Sequence, residues 1–375
     1  MSNNKLILAV AGSGKTTYLV SKALETTKEN VLIVTYTEAN EKEIKRKFID
    51  LKGYIPSNIT IQTWFSFLLQ HGVRPFQDIM HKDLKKMKIG FYLTEQQSGI
   101  YTGSNGRTFS YGEDSDFSKF YFTRDSKIYS DKVSKFVISC NNKSRGELVS
   151  RITRVYPNIF IDEVQDLAGW DLEILKLLFM EDSNILMVGD PRQVTYLTHH
   201  PRKYSKYMDG KIADFIDNEC PKDICEIDTE ILSKTHRNSE AICLISSNLF
   251  TEHDPSLPCD CPICRNYITN HVGVFLVKEQ DVEKYCIDFS PTVLKWNKAV
   301  YPDWNFGKSK GLSFDRVLIY PTDPIIRWLR DNSQNLSSSS RCKFYVALTR
   351  ARMSVGIVYN YRADEVMEDV KKYSP

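Results

Sequence analysis

The feature that most constrains the fold is a glycine-rich turn placed between an apolar run and a helical pattern. Residues 6–11 predict a buried parallel strand, Gly12, Ser13 and Gly14 predict a turn, and a helix is predicted from Thr16 onward. Glycines in such a turn allow backbone N–H groups to surround a phosphate, and the helix N-terminus adds its dipole. The segment therefore predicts a phosphate-binding loop at the end of a strand in a parallel α/β sheet.

The side chains of this loop suit a nucleoside triphosphate. Lys15 is expected to meet the β- and γ-phosphates, and the Thr16 hydroxyl is expected to bind Mg²⁺. Ala9 stands where the stricter form of the loop has glycine, and an ordinary strand–turn–helix is the alternative. The residues assigned to the nucleotide are Ala11, Gly12, Ser13, Gly14, Lys15, Thr16 and Thr17.

A second apolar run, 158–161, predicts a short strand that ends in two carboxylates, Asp162 and Glu163. A carboxylate at a strand end can bind the Mg²⁺ assigned above, and Glu163 is placed to polarise a water toward the γ-phosphate. A solvated turn is the alternative for an isolated Asp-Glu pair. The phosphate loop, together with Gln165 and Asp166, favours the magnesium site.

Composition limits the partners and the compartment. The 375 residues carry a net charge of only +3, so nucleic-acid binding has to depend on local patches. No signal peptide or membrane-spanning run is visible, and nine cysteines without an export signal indicate reduced thiols. We therefore expect a cytoplasmic protein with no membrane partner.

Four further motifs complete an ordered set with AVAGSGKTT (9–17) and FIDEVQD (160–166). They are VTYTEAN (34–40), VGDPRQ (188–193), KSKGLSFD (308–315) and YVALTRAR (345–352). The set resembles the motifs of UvrD/Rep-type superfamily 1 DNA helicases over most of the chain outside about 76–148 and 251–300. The resemblance implies an α/β fold with two RecA-like parallel-sheet P-loop lobes and a small inserted accessory domain. It also implies ATP hydrolysis, with ATP and Mg²⁺ as cofactors, coupled to lobe closure on single-stranded or tailed duplex DNA and 3′→5′ movement.

The resemblance also assigns residues around the γ-phosphate. Gln193 matches the residue that senses this group, and Arg237 and Arg350 match two arginines that stabilise its developing charge. A surface charge is the alternative for each arginine taken alone. His236 stands where the family has an adenine-stacking tyrosine, and Gly311 belongs to a motif expected to contact the nucleotide.

Other positions match DNA-contacting residues of the family. They are Thr35, Tyr36, Thr63, Trp64 and Tyr196.

The resemblance divides the chain into three parts. The first lobe is expected at 1–75 and 149–230, a reduced accessory insertion at 76–148, and the second lobe at 231–375 with a cysteine-rich insert at about 251–272. Only residues 238–309 separate the first arginine motif from Lys310, which is too short for the family's large second accessory domain. Residues 31–35, 185–188 and 317–320 are predicted to form strands, 337–340 an exposed loop, and 343–352 a strand leading into a helix.

The insertion at 76–148 combines lysines with interleaved aromatic residues. This composition suits single-stranded DNA, through phosphate attraction and base stacking. A small domain with its own aromatic core is the alternative. The aromatic residues are Phe109, Tyr111, Phe117, Phe120, Tyr121, Phe122 and Tyr129.

Cys259, Cys261 and Cys264 include a C-x₂-C step typical of zinc sites, and they predict a structural Zn²⁺ with one further ligand. Reduced thiols in a polar loop are the alternative. Loss of the metal is expected to spare the nucleotide site. Candidates for the fourth ligand are His271, His253, Cys220, Cys225 and Cys243.

Two other functions compete with the DNA motor. One is a nucleotide-driven regulatory switch that partners a nuclease or effector, for example in phage defence, without unwinding. The other is a small-molecule kinase, which shares the glycine-rich loop but has no need for Gln193, Arg237 or Arg350.

Overall fold

The computed structural model describes residues 4–94, 96–195, 203–265, 269–297, 299–367 and 369–375. Contacts divide the described residues into two units, the first within 4–7, 16–189 and 203–228, and the second within 8–15, 190–195 and 229–375. Two short segments, 8–15 and 190–195, thus group with the second unit, whereas the sequence places them in the first lobe. The predicted lobe boundaries stay a prediction.

The first unit is built on a parallel sheet. Its strands are β1 (Lys5–Leu8), β2 (Val31–Thr35), β3 (Ile59–Thr63), β4 (Gly90–Tyr92), β5 (Ile100–Thr102), β6 (Thr108–Ser110), β7 (Lys127–Tyr129), β8 (Asn158–Asp162), β9 (Asn184–Gly189) and β10 (Glu226–Asp228). Six of them form a sheet in the order β10-β1-β9-β8-β2-β3. Strands β2 and β8 are buried along their whole length, as expected for the centre of a parallel sheet.

The helices of this unit are α1 (Lys15–Glu25), α2 (Glu38–Lys52), α3 (Trp64–Phe67), α4 (Gln77–Met80), α5 (Phe117–Tyr121), α6 (Ser130–Lys143), α7 (Glu147–Val155), α8 (Trp170–Phe179) and α9 (Ile212–Glu219). Local hydrogen bonding and backbone conformation fix both ends of helix α2. The Thr37 hydroxyl accepts a hydrogen bond from the Asn40 N–H at 3.1 Å, and Gly53 ends the helix in a left-handed conformation.

The aromatic residues of the insertion have two different environments. Tyr121 and Phe122 are buried against Phe136, with ring centroids 5.1 and 5.9 Å from that of Phe136. Tyr101 and Phe109, on the β5–β6 hairpin, are 44% and 43% exposed and stack on each other at 5.7 Å. The first group forms an aromatic core, and the second group lies at the surface.

The second unit contains another parallel sheet, in the order β15-β14-β16-β17-β13-β18. The strands are β11 (Lys234–Thr235), β12 (Leu257–Pro258), β13 (Gly273–Val277), β14 (Thr292–Lys295), β15 (Trp304–Asn305), β16 (Phe314–Tyr320), β17 (Ala351–Val358) and β18 (Val370–Lys372). The helices are α10 (Glu240–Ser247), α11 (Pro262–Arg265), α12 (Val282–Phe289), α13 (Asp323–Arg330) and α14 (Ser338–Leu348). Strands β11 and β12 form a separate parallel pair.

The predicted fold class, α/β with two parallel-sheet lobes, is confirmed. Strand β2 has the bounds read from the sequence, but β1 ends at Leu8 rather than at residue 11. The next backbone groups bond to distant segments instead of a neighbouring strand. The Ala9 carbonyl accepts from Arg192 at 3.3 Å, and the Val10 N–H donates to the Leu232 carbonyl at 3.0 Å.

Two local predictions near the carboxyl end are wrong. Residues 338–340 begin helix α14 instead of forming a loop, because the Ser337 hydroxyl accepts the Ser340 N–H and caps the helix. Residues 343–352 run from helix α14 into strand β17, the reverse of the predicted order. None of the helices in the described ranges is long and apolar enough to cross a lipid bilayer.

Candidate nucleotide-binding site

The glycine-rich turn has the backbone of a phosphate-binding loop. Gly12 and Gly14 have φ values of 74° and 89°, in the region that favours glycine. A Cβ added to Gly14 would meet no atom of the described part of the chain within 4 Å, so open space lies beside the backbone. The Ser13 hydroxyl is buried and has no hydrogen-bond partner among the described residues. These features fit an anion with several acceptor oxygens.

Asp190 is the centre of a buried hydrogen-bond network in the second unit. Its carboxylate accepts from Arg192 Nε at 2.9 Å, from Gln193 Nε2 at 2.8 Å and from the Tyr345 hydroxyl at 3.0 Å. Burial alone would raise the pKa of Asp190, but the positive charges of Arg192 and Lys15 and these hydrogen bonds hold it below its ordinary value. The ionised carboxylate therefore fixes the amide of Gln193.

Arg350 is bonded to Gln193 and is only 2% exposed, so the surface-charge alternative is wrong for this residue. Its Nη2 donates to Gln193 Oε1 at 3.4 Å, and its Nη1 donates to the Leu312 carbonyl at 3.1 Å. Its Nε donates to the Val346 carbonyl at 3.1 Å. Gly311, with φ of 85°, immediately precedes Leu312, so the predicted KSKGLSFD motif also reaches the arginine.

Arg237 joins the same cluster through the backbone. Its Nη1 donates to the Thr349 carbonyl at 3.1 Å. The Asn238 amide donates to that carbonyl at 3.2 Å and to the Ala351 carbonyl at 2.8 Å. The two arginine motifs are therefore connected at the peptide that directly precedes Arg350.

The glycine-rich turn also contacts this cluster. The Ala11 N–H donates to the Tyr345 hydroxyl at 3.4 Å, and the His236 N–H donates to the Gly12 carbonyl at 2.9 Å. A Cβ on Gly12 would lie 2.6 Å from the Cβ of Arg237, so only glycine allows this approach. The second unit thus brings together the turn, Gln193 and both arginines that the sequence assigned to the γ-phosphate.

The two predicted carboxylates lie at the end of β8 in the first unit. Asp162 is 5% exposed and accepts a hydrogen bond from the Thr35 hydroxyl at 3.4 Å. Glu163 has a φ of 55°, which costs a residue other than glycine on the order of 1 kcal/mol. The Gln165 amide donates to the Glu163 carboxylate. Strained residues cluster at functional sites, which agrees with the role in hydrolysis assigned to Glu163.

Thr16 and Thr17 lie in the first turns of α1, half-buried.

The predicted DNA-contacting residues have varied surroundings. Trp64 is buried, and its indole N–H donates to Asp171 at 2.8 Å. The Thr63 hydroxyl caps helix α3. Tyr36 is half-buried, and Tyr196 lies outside the described residues. Since Thr35, Thr63 and Trp64 have structural partners, contact of these side chains with DNA stays a prediction.

The cysteine-rich loop contains a compact group of ligand atoms. His236, Cys259 and Cys264 each offer one atom within 4.8 Å of the other two. None of the nine cysteines, all of them described, is in a disulfide. His271, a candidate ligand in the sequence, is stacked between Phe275 and Phe289 and donates to or accepts from Ser354 at 3.0 Å.

Sequence reasoning did not assign roles to Asp190, Arg192 or Tyr345, although they connect the site. Their signal lies inside the motifs already noted, as the charged pair of VGDPRQ and the first residue of YVALTRAR. It was missed because only the tertiary structure shows that these side chains bond to each other.

Comparisons with known proteins agree with the motif order. The family described as UvrD/REP helicase N-terminal domain matches residues 1–98 and 129–197. Gabija protein GajB of Bacillus cereus (strain VD045) is 30% identical over 205 residues, which cover 52% of this chain and 38% of that protein. The matched region thus spans less than half the length of this relative.

Solved helicase structures are similar at low identity. Arterivirus nonstructural protein 10 (helicase) has a TM-score of 0.46 at 15% identity, covering 96% of this chain and 60% of that chain. The PRRSV helicase has a TM-score of 0.42 at 13% identity, covering 97% and 54%.

Proposed function

Because the chain belongs to the UvrD/Rep-type superfamily 1 helicases, we propose that it hydrolyses ATP and uses the energy to move along single-stranded DNA. Family membership implies a nucleotide hydrolase. The observation that carries the proposal is the hydrogen-bonded cluster that joins Gln193, Arg237 and Arg350 to the glycine-rich turn. A small-molecule kinase would have no use for this arrangement.

In the proposed reaction, the turn and Lys15 bind the phosphates. Thr16 and Asp162 would hold Mg²⁺, which supplies positive charge that neutralises the phosphate oxygens. Glu163 accepts the proton of the attacking water. Among the described residues, the open space beside the Gly14 backbone and the Ser13 hydroxyl without a hydrogen-bond partner support this assignment.

The arginines act on the charge that develops at the γ-phosphoryl group. Arg350 already donates to Gln193, whose amide is fixed by Asp190. A γ-phosphoryl group that accepts a hydrogen bond from Arg350 therefore competes with Gln193 for the same guanidinium. We propose that this competition reports the presence or loss of the γ-phosphate to segment 190–193.

Contact with a single strand is proposed for the exposed hairpin of the first unit. Tyr101 and Phe109 present stacked, partly exposed rings, and the Lys119 ammonium lies 5.1 Å from the ring centroid of Tyr111. Aromatic surfaces with adjacent cations bind single strands by base stacking and phosphate attraction. This surface supplements the predicted contact at Tyr36.

Movement of the protein along a single strand is tested by its displacement of streptavidin from DNA biotinylated at either the 3′ or the 5′ end. The same assay is run in parallel on an RNA strand. We expect ATP-dependent displacement from one end of the DNA only. Lys15→Ala should abolish it, and Lys22→Ala should not, because Lys22 pairs with Glu25 on the same helix. Continued hydrolysis without displacement from either end would instead favour the nucleotide-driven switch and contradict a motor.

A further inference from the structure

The cysteine-rich loop is hydrogen-bonded to the segment that carries the first arginine motif. Strand β12 pairs in parallel with β11, so that Thr235 lies opposite Pro258. The Cys259 N–H then donates to the Thr235 carbonyl at 2.9 Å. These contacts bring Cys259 next to His236, which is distant in sequence and was not among the expected ligands.

The distances between the ligand atoms suit a single ion. The Cys264 sulfur lies 3.7 Å from His236 Nδ1, and one ligand atom from each of His236, Cys259 and Cys264 lies within 4.8 Å of the others. A tetrahedral zinc with bonds of about 2.3 Å to sulfur and about 2.0 Å to nitrogen separates such atoms by roughly 3.6 Å. The ligand atoms of His236, Cys259 and Cys264 are therefore spaced nearly as they would be around a bound zinc ion.

Cys261 completes a set of four. The Cys261 side chain interacts with the thiol of Cys264. The Cys261 sulfur lies outside the group of His236, Cys259 and Cys264 atoms that are within 4.8 Å of one another, so binding of an ion would have to draw Cys261 in. Three sulfurs and one imidazole nitrogen form a common structural zinc set, and soft thiolates disfavour Mg²⁺ or Ca²⁺.

We propose that His236, Cys259, Cys261 and Cys264 bind one structural Zn²⁺ in the second unit. Three of these ligands were predicted from the sequence, and the structure supplies the fourth. The site makes His236 a metal ligand through Nδ1, which competes with its predicted role in stacking on adenine.

The position of His236 gives the metal a consequence for the nucleotide site. The backbone N–H of His236 donates to the Gly12 carbonyl, and the guanidinium of the next residue, Arg237, donates to the Thr349 carbonyl. An ion held by His236 would fix a segment that touches the glycine-rich turn and carries an arginine assigned to the γ-phosphate. If the proposed function holds, this connection predicts that loss of zinc slows ATP hydrolysis. The sequence alone had predicted that loss of zinc would spare the nucleotide site.

The proposal is tested first by metal content. The full chain, purified from zinc-supplemented medium, should contain about one zinc per chain by mass spectrometry. Cobalt substitution should give the visible absorption of a tetrahedral thiolate site. Cys264→Ser and His236→Asn should lower the zinc affinity at least about tenfold, as expected for loss of a ligand. The matched control Cys286→Ser, a thiol outside the group, should keep the metal.

Less than about a tenth of an equivalent of zinc, with no cobalt absorption, would overturn the site. So would zinc retained at wild-type affinity by both variants, or stoichiometric iron in place of zinc. Circular dichroism confirms that each variant is folded. The measurement is independent of hydrolysis, since Lys15→Ala should retain zinc while losing turnover. Zinc present in an inactive wild-type chain would contradict the proposed function and leave the metal site standing.

Discussion

Arg350 is held at each nitrogen of its guanidinium, by Val346, Leu312, Gln193 and Thr349. A residue with this many fixed contacts is pre-organised, which is the property required of a group that stabilises a transition state. The same contacts make Arg350→Ala a poor test, because the deletion would leave buried acceptors unsatisfied.

Arg350→Lys is the sharper substitution, since lysine keeps the charge but lacks the planar fork of donors. We expect kcat to fall by about a hundredfold or more, with KM for ATP changed by less than about fivefold. Arg352→Lys is the matched control, because this side chain is largely exposed beside Asp315. An equal loss of ATP affinity and turnover would place Arg350 in ground-state binding.

Glu163→Gln should trap ATP. The amide keeps the shape of the carboxylate but cannot accept a proton, so hydrolysis should fall by about two orders of magnitude while ATP binding persists. Stopped-flow turnover and equilibrium binding of a fluorescent ATP analogue measure the two quantities separately. Glu147→Gln, at an exposed salt bridge with Arg154, is the control. Unchanged turnover in both Glu163→Gln and Asp162→Asn would remove the carboxylates from the chemistry.

Strands whose residues are buried without interruption were predicted well from the sequence. The apolar runs of β2 and β8 identify central parallel strands, because the residues of such strands are buried on both faces of the sheet. The end of β1 was not predictable, since it depends on the hydrogen bond that the Ala9 carbonyl accepts from Arg192, which is remote in sequence. Helix α14 was missed because its serine-rich start resembles a loop until the Ser337 cap is seen.

His271, just before β13, gives the second unit a pH dependence. Burial between two phenylalanine rings, with Arg316 and Lys371 nearby, lowers its pKa from 6.5 to about 4. The unfolded chain therefore takes up a proton that the folded chain resists, so this contribution to stability is complete above pH 6.5 and is lost as the pH falls toward 4.

We expect the free energy of unfolding to fall by about 1 kcal/mol more in the wild type than in His271→Phe between pH 7 and pH 5, allowing for partial exposure. Urea titrations at the two pH values measure the difference. His81→Gln, at an exposed histidine, should behave as the wild type does. A His271→Phe variant with the wild-type pH dependence would contradict the account.

The order of six motifs was sufficient to predict two parallel-sheet lobes. The binding of a triphosphate by the assigned residues stays a prediction. Each motif is local, so glycine, lysine and arginine positions can be read directly. The connections were not readable, because Asp190 and Tyr345 meet only through the fold. The same holds for His236 and the cysteines, which are brought together by the pairing of β11 with β12.

If the chain moves along DNA, its nucleotide hydrolysis depends on a nucleic-acid strand, and the steady-state ATPase rate with and without single-stranded DNA measures that dependence. We predict stimulation of about tenfold or more that saturates with DNA concentration and weakens with added salt. Lys15→Ala should be inactive under both conditions. A wild-type rate that is the same with and without DNA, at a DNA concentration shown to be bound, would contradict the account.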